Sequence, residues 1–271
     1  LMRDLPSSPL LWPIVLLAIA LRLARRRIVA AIEGVAGRVG KVDTDGFGLT
    51  LRVLALTLLL TLPWPLLLGA AGWSAVHAST GSELIAGMGE SLLRVAAVLL
   101  TLNLLSAVCL PTGLAAVHFR WPEPTLGLLR TSTRRLTWLL IPAIAVLHLS
   151  QDLNPLDSGG TLARLASIVV FGAVAWFLYR VFHPRRGVMA LLRHPDAYPL
   201  LMGTYWFWYP ALALFPIALL MLALSGYLYT ARVESANFLH SLWLLFALVL
   251  LNALALRWLL VVRLRIAKEA A

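Results

Sequence analysis

The stretch LMGTYWFWYPALALFPIALLMLAL, residues 201–224, is 24 residues long and contains no charged side chain. A helix needs about 20 mainly apolar residues to cross the ~30 Å hydrocarbon core of a bilayer. Six further apolar runs occupy residues 9–24, 51–73, 92–114, 136–149, 162–182 and 238–262, the first and fourth of them short. With 61% hydrophobic and 13% charged residues, and a mean hydropathy of +0.86, the chain falls outside soluble domains, which average roughly 45–50% apolar and 25% charged. None of the runs alternates at the period of two that a β-barrel demands. The expected fold is therefore all-α: a polytopic helical membrane domain of about seven transmembrane helices, forming a single domain over residues 1–271.

The basic residues follow alternate runs. Arg25, Arg26, Arg27, Arg38 and Lys41 come after the first, and Arg120, Arg130, Arg134 and Arg135 after the third. Arg180, Arg185, Arg186 and Arg193 follow the fifth, and Arg263, Arg265 and Lys268 the seventh. The intervening connections carry Glu83 and Glu90, then Asp152 and Asp157, then Arg232 with Glu234. Because short cytoplasmic loops retain Lys and Arg, the N-terminus is expected in the periplasm and the C-terminus in the cytoplasm. The formal net charge of +11 then reads as a juxtamembrane ring facing anionic phospholipid, with no nucleic-acid partner. Arg25, Arg26, Arg27, Arg134, Arg135, Arg185 and Arg186 are the candidate headgroup contacts. Between them, residues 25–42 space Ile28, Ile32, Val35, Val39 and Val42 at helical period, with charges on the other faces. That pattern suggests an amphipathic helix lying in the plane of the inner leaflet.

Prolines interrupt three runs, at Pro63 and Pro65, at Pro142, and at Pro210 and Pro216. Each removes a donor and leaves a carbonyl for a neighbouring helix or water to satisfy, so these are candidate bend points. Asn103 and Asn252 are the candidate intramembrane polar residues, expected to hydrogen-bond between helices. Chemistry is sparse by contrast. His118 and Glu123 flank a proline-containing turn without metal-ligand spacing, and His183 and His194 share a connection rich in arginine. Cys109 is the single cysteine, which excludes an intrachain disulfide and a thiolate cluster. The chain lacks GxSxG, HExxH and Walker motifs, and all twelve acids lie outside the apolar runs, where ion-coupled carriers usually place some. No catalytic residue, metal ligand or cofactor site is expected.

Three passages carry a family resemblance: KVDTDGFGLTLRVLALTLLLTLPWPLLLGAAGW, GLAAVHFRWPEPTLGLLRTSTRRLTWLLIPAIAVLHLSQDLNP and LALSGYLYTARVESANFLHSLWLLFALVLLNALALRWLLVVRLRIA. With LPWP, GLAxxHFxW and SGYLYT as their most specific elements, they resemble the inner-membrane domain of large bacterial mechanosensitive channels, of the potassium-dependent type, within the small-conductance mechanosensitive channel superfamily. The resemblance implies a bacterial inner-membrane module that senses tension or anchors a channel releasing ions on osmotic downshock. It also implies a homo-oligomer, a heptamer by family analogy. A chain that opens at Leu1 and stops after a basic run is expected to be a fragment of a longer subunit, lacking the pore and cytoplasmic domains. The rival readings are an integral-membrane enzyme acting on lipid headgroups through His118 or His183, and a secondary transporter, which would require repeated halves.

Overall fold

A computed structural model describes residues 11–39, 46–78, 83–153, 160–184, 187–188 and 203–269. Among these every regular element is a helix, and there are no strands. The elements are α1 (Leu11–Ala36), α2 (Phe47–Thr61), α3 (Pro63–Ala78), α4 (Glu83–Val108), a π-helical turn (Leu114–His118), α5 (Glu123–Leu153), α6 (Gly160–Val181), α7 (Tyr205–Leu224) and α8 (Leu228–Glu269).

The seven apolar runs fall in order on α1, on α2 with α3, and on α4, α5, α6, α7 and α8. By length and composition, four helices among the described residues can cross a bilayer: α4, α6, α7 and the Tyr229–Arg263 part of α8. A fifth is added if α2 and α3 are one broken span. A count of seven is thus not established. In α1 the apolar run is cut by Arg22, Arg25, Arg26 and Arg27, and α5 opens with a segment holding Arg130, Arg134 and Arg135.

Several boundaries differ from the sequence expectation for physical reasons. The third run ends early, because α4 stops at Val108 and Pro111 stands three residues on, where the chain turns through Leu110 N–H to Ala107 O and Gly113 N–H to Leu110 O. The basic segment before the fourth run is itself helical, since α5 starts at Glu123 directly after Pro122, with Pro124 in the first turn where a missing N–H is harmless. Residues 25–36 are helical as the periodicity suggests, but they continue α1 and do not form a separate in-plane element. Their apolar face is occupied by protein: Ile28, Ile32 and Val35 are buried against Val53 of α2 and Leu114 of the π turn. Lys41 and Val42 lie outside the described residues.

Each helix packs most closely on its neighbours in the chain, α3 on α4, α4 on α5, α5 on α6 and α6 on α7, while α1 lies against α3 and α2. The tightest crossing is α3 on α4. A Cβ added to Gly72 would come within 2.7 Å of Gly89 O, and one added to Gly89 within 2.8 Å of Gly72 O, so both positions are bare because the backbones touch. The described ends of α1, α4 and α6 meet the π turn at one end of the bundle. There Val108, Cys109, Ala115, Leu126 and Val181 form one cluster, adjoined by Phe119 and Phe182. The outer helices are different: α7 and α8 direct most of their apolar side chains away from the protein, with Trp206 87% and Leu244 72% exposed. Such surface is stable only against lipid or another subunit.

Candidate hinge and adjoining basic groove

The sequence around LPWP explains why α2 cannot continue into α3. Pro63 and Pro65 lack the N–H groups that would close on Leu59 and Thr61 carbonyls. Just before them, Thr57 Oγ1 donates to Val53 O and Thr61 Oγ1 to Leu58 O, each at 2.7 Å, a back-bonding that itself bends helices. The two helices meet at 48°. Thr61 O, left without its helical donor, accepts a hydrogen bond from Asn103 Nδ2 of α4 at 3.4 Å. The break is held from the other side as well: the Arg22 guanidinium of α1 lies 5.7 Å from the centre of the Trp64 ring. By contrast Pro142 lies inside a continuous α5, and Pro210 and Pro216 inside a continuous α7.

The other two distinctive sequence elements are also backbone devices. In GLAAVHFRW, Phe119 N–H reaches Leu114 O and Trp121 N–H reaches Ala115 O, and Arg120 closes the turn at φ 54°. This wide turn drives His118 inward, where it is 4% exposed and its Nδ1 lies 3.0 Å from Thr50 Oγ1 of α2. In SGYLYT, Gly226 N–H bonds Ala223 O and Tyr227 N–H bonds Leu222 O, a Schellman cap. Gly226 adopts φ +96°, a conformation L side chains resist. Tyr227 then leads directly into α8.

Beside the hinge is an open groove of about 310 Å³ between α4 and α5, lined by Asn103, Ser106, Arg130, Arg134, Thr137 and Trp138. The residues fall at helical spacing, Asn103 and Ser106 on the last turns of α4, and Arg130, Arg134, Thr137 and Trp138 on one face of α5. Two residues picked from sequence on separate grounds, Asn103 and Arg134, are thereby neighbours, and Asn103 belongs to both hinge and groove.

Residues 8–271 match the family described as mechanosensitive ion channel inner membrane domain 1. The chain belongs to this family. It is similar to the miniconductance mechanosensitive channel MscM of Escherichia coli (strain K12), with 25% identity over 248 residues, which cover 92% of this chain and 22% of that protein. The chain therefore spans about a fifth of the length of the curated relative it matches. No solved structure matches it.

As a member of a family of ion channels, not enzymes, the chain does not support the reading as a lipid enzyme. His118 faces Thr50 in the interior rather than the headgroup layer. Among the described residues no three His, Cys, Asp or Glu side chains gather as a metal site. Of the expected headgroup contacts, Arg25, Arg26 and Arg27 are exposed on α1 and Arg134 and Arg135 on α5. Arg185 and Arg186 lie outside the described residues. Asn252 is exposed on α8, away from the interhelical role Asn103 fills. One polar residue escapes a scan of the runs for acids: Arg257, within 238–262, is only 4% exposed. It stands seven residues from Leu250 and fourteen from Trp243, on the face of α8 that packs inward. A lone arginine deep in an apolar run is the signal that finds it.

Proposed function

We propose that this domain is the membrane-tension-sensing or anchoring module of a mechanosensitive ion channel that releases ions on osmotic downshock. In this reading residues 1–271 form one helical membrane domain of a longer subunit whose pore and cytoplasmic domains lie elsewhere in the chain. The domain sits in the bacterial inner membrane as a multi-pass element, N-terminus periplasmic and C-terminus cytoplasmic, in a homo-oligomer that is heptameric by family analogy. Its other partners are membrane phospholipids, met by Arg25, Arg26, Arg27, Arg134, Arg135, Arg185 and Arg186.

The observation that supports this reading best is the α2–α3 break with Asn103 on its orphaned carbonyl. Tension favours whichever conformation covers more area in the membrane plane, and it shifts the balance only through that difference between states. A broken helix held by one long hydrogen bond and one cation–π contact is a joint whose angle can change at low cost. Pro142, Pro210 and Pro216 are secondary bend points in the same scheme. Patch-clamp recording of the full-length channel tests it: Pro63→Leu with Pro65→Leu should move the gating threshold, as should Asn103→Leu. Thresholds equal to the unmodified channel in both variants would overturn the hinge.

A further inference from the structure

We propose that the groove between α4 and α5 is a defined binding site for a phosphate-bearing anion, met in the bilayer as the phosphodiester of an anionic phospholipid. The inference deepens the reading above and rests on the domain being embedded in a membrane, but not on its role in gating. It names one place and one chemistry, where a basic ring names neither.

Arg130 and Arg134 stand one helical turn apart and both line the groove. Neither is paired with a carboxylate among the described residues, where the ion pair formed is Arg94 with Glu90 at 2.8 Å. Two guanidinium groups brought together without a counter-ion repel each other, and a doubly contacted phosphate relieves that repulsion while using their forked donors. Neutral groups complete the lining. Asn103 uses one N–H on Thr61 O, which leaves the second N–H and the side-chain oxygen for the groove. Ser106 adds a hydroxyl. Thr137 donates its own proton to Thr133 O at 2.9 Å and can only accept in the groove. The volume of about 310 Å³ is at the small end of ligand sites, which run from roughly 300 to 1,000 Å³.

What favours a lipid over free phosphate is the surface that continues from the groove. Arg130, Arg134, Trp138, Pro142 and Val146 recur every four residues along α5, and all five are exposed. An exposed ridge winding along α5 therefore passes from two cations, through an indole that is 74% exposed, to the apolar Pro142 and Val146. A phospholipid has the same order of parts, phosphate, ester region and acyl chain, and tryptophan favours the level between them.

The test is lipid retention by the purified full chain in detergent, followed by native mass spectrometry during titration with dioleoylphosphatidylglycerol, with dioleoylphosphatidylcholine as reference. Arg130→Gln with Arg134→Gln should weaken phosphatidylglycerol binding about tenfold or more, since both charge-assisted forks on the phosphate are lost. Arg164→Gln with Arg232→Gln, at two exposed arginines outside both the groove and the expected headgroup contacts, should leave that binding step in place. Both sets change exposed residues, and an unchanged elution profile and tryptophan emission will show that the variants are folded. Equal losses in the two sets, or none in the groove variant, would overturn the site. Competition by inorganic phosphate with the same dependence on Arg130 and Arg134 would uphold the site and make a soluble phosphate its occupant. Because conductance is not the readout, failure of the hinge variants to shift gating and failure of this site appear in different experiments.

Discussion

At the scale of single residues, the groups that stand out in the sequence turn out to hold shape. His118 is the clearest case. Its neighbours Trp121, Pro122 and Glu123 suggest a surface loop, and only the π turn, with its backbone bond from Phe119 to Leu114, rotates the imidazole inward to Thr50. Removing the imidazole leaves the buried Thr50 hydroxyl without that partner, at a cost of about 1–3 kcal/mol. His118→Ala should therefore lower the detergent melting temperature, and Thr50→Val combined with His118→Leu should recover part of the loss. Gly226 makes a similar prediction for a different reason. At φ +96° a β-branched side chain strains the backbone by roughly 1–2 kcal/mol, so Gly226→Val should lower the melting temperature while Gly34→Ala, which meets nothing within 4 Å, should not. SGYLYT stood out in the sequence only as a family element, and neither its cap at Gly226 nor the inward turn of His118 was legible, because a cap and a five-residue π turn have no periodicity of their own to read.

At the scale of elements, proline positions marked every interruption, yet only one of three became a break. Pro63 and Pro65 remove two donors within one turn and follow two back-bonding threonines, whereas Pro142 stands alone and Pro210 and Pro216 lie six residues apart. The local density of lost donors decides between a bend and a stop. The α3–α4 crossing is equally specific. Gly89→Ala would place a methyl 2.7 Å from Val76 Cγ2 and 2.8 Å from the Gly72 carbonyl, and an overpacked contact costs about 1–3 kcal/mol. Lower thermal stability in Gly89→Ala, and a greater loss in Gly89→Leu, are the expected outcomes of a melting assay. Residues 25–36 show the converse lesson: a helical stripe beside arginines matches both a headgroup-layer helix and a helix packed on protein, and the partners Val53 and Leu114 are too far away in sequence to be seen there.

At the scale of the whole molecule, the described ends of α1, α4 and α6 come together with the π turn at one end of the bundle. With the native Cys109 buried, single cysteines offer a clean check of topology. Arg27→Cys and Arg120→Cys should react with a membrane-impermeant maleimide only from the cytoplasmic side, and Arg232→Cys only from the periplasmic side. Labelling of Arg27→Cys from the periplasm would reverse the orientation. Composition and the spacing of apolar runs by themselves determined that the chain is helical and belongs in a bilayer, because hydrocarbon admits only backbones that satisfy their own hydrogen bonds and because charge is costly there. Tertiary structure alone decided that Asn103 reaches Thr61, that Arg130 and Arg134 share a groove with it, and that Ile32 faces Val53. Those pairings join positions far apart in the chain, and no local propensity or period encodes which helix face meets which.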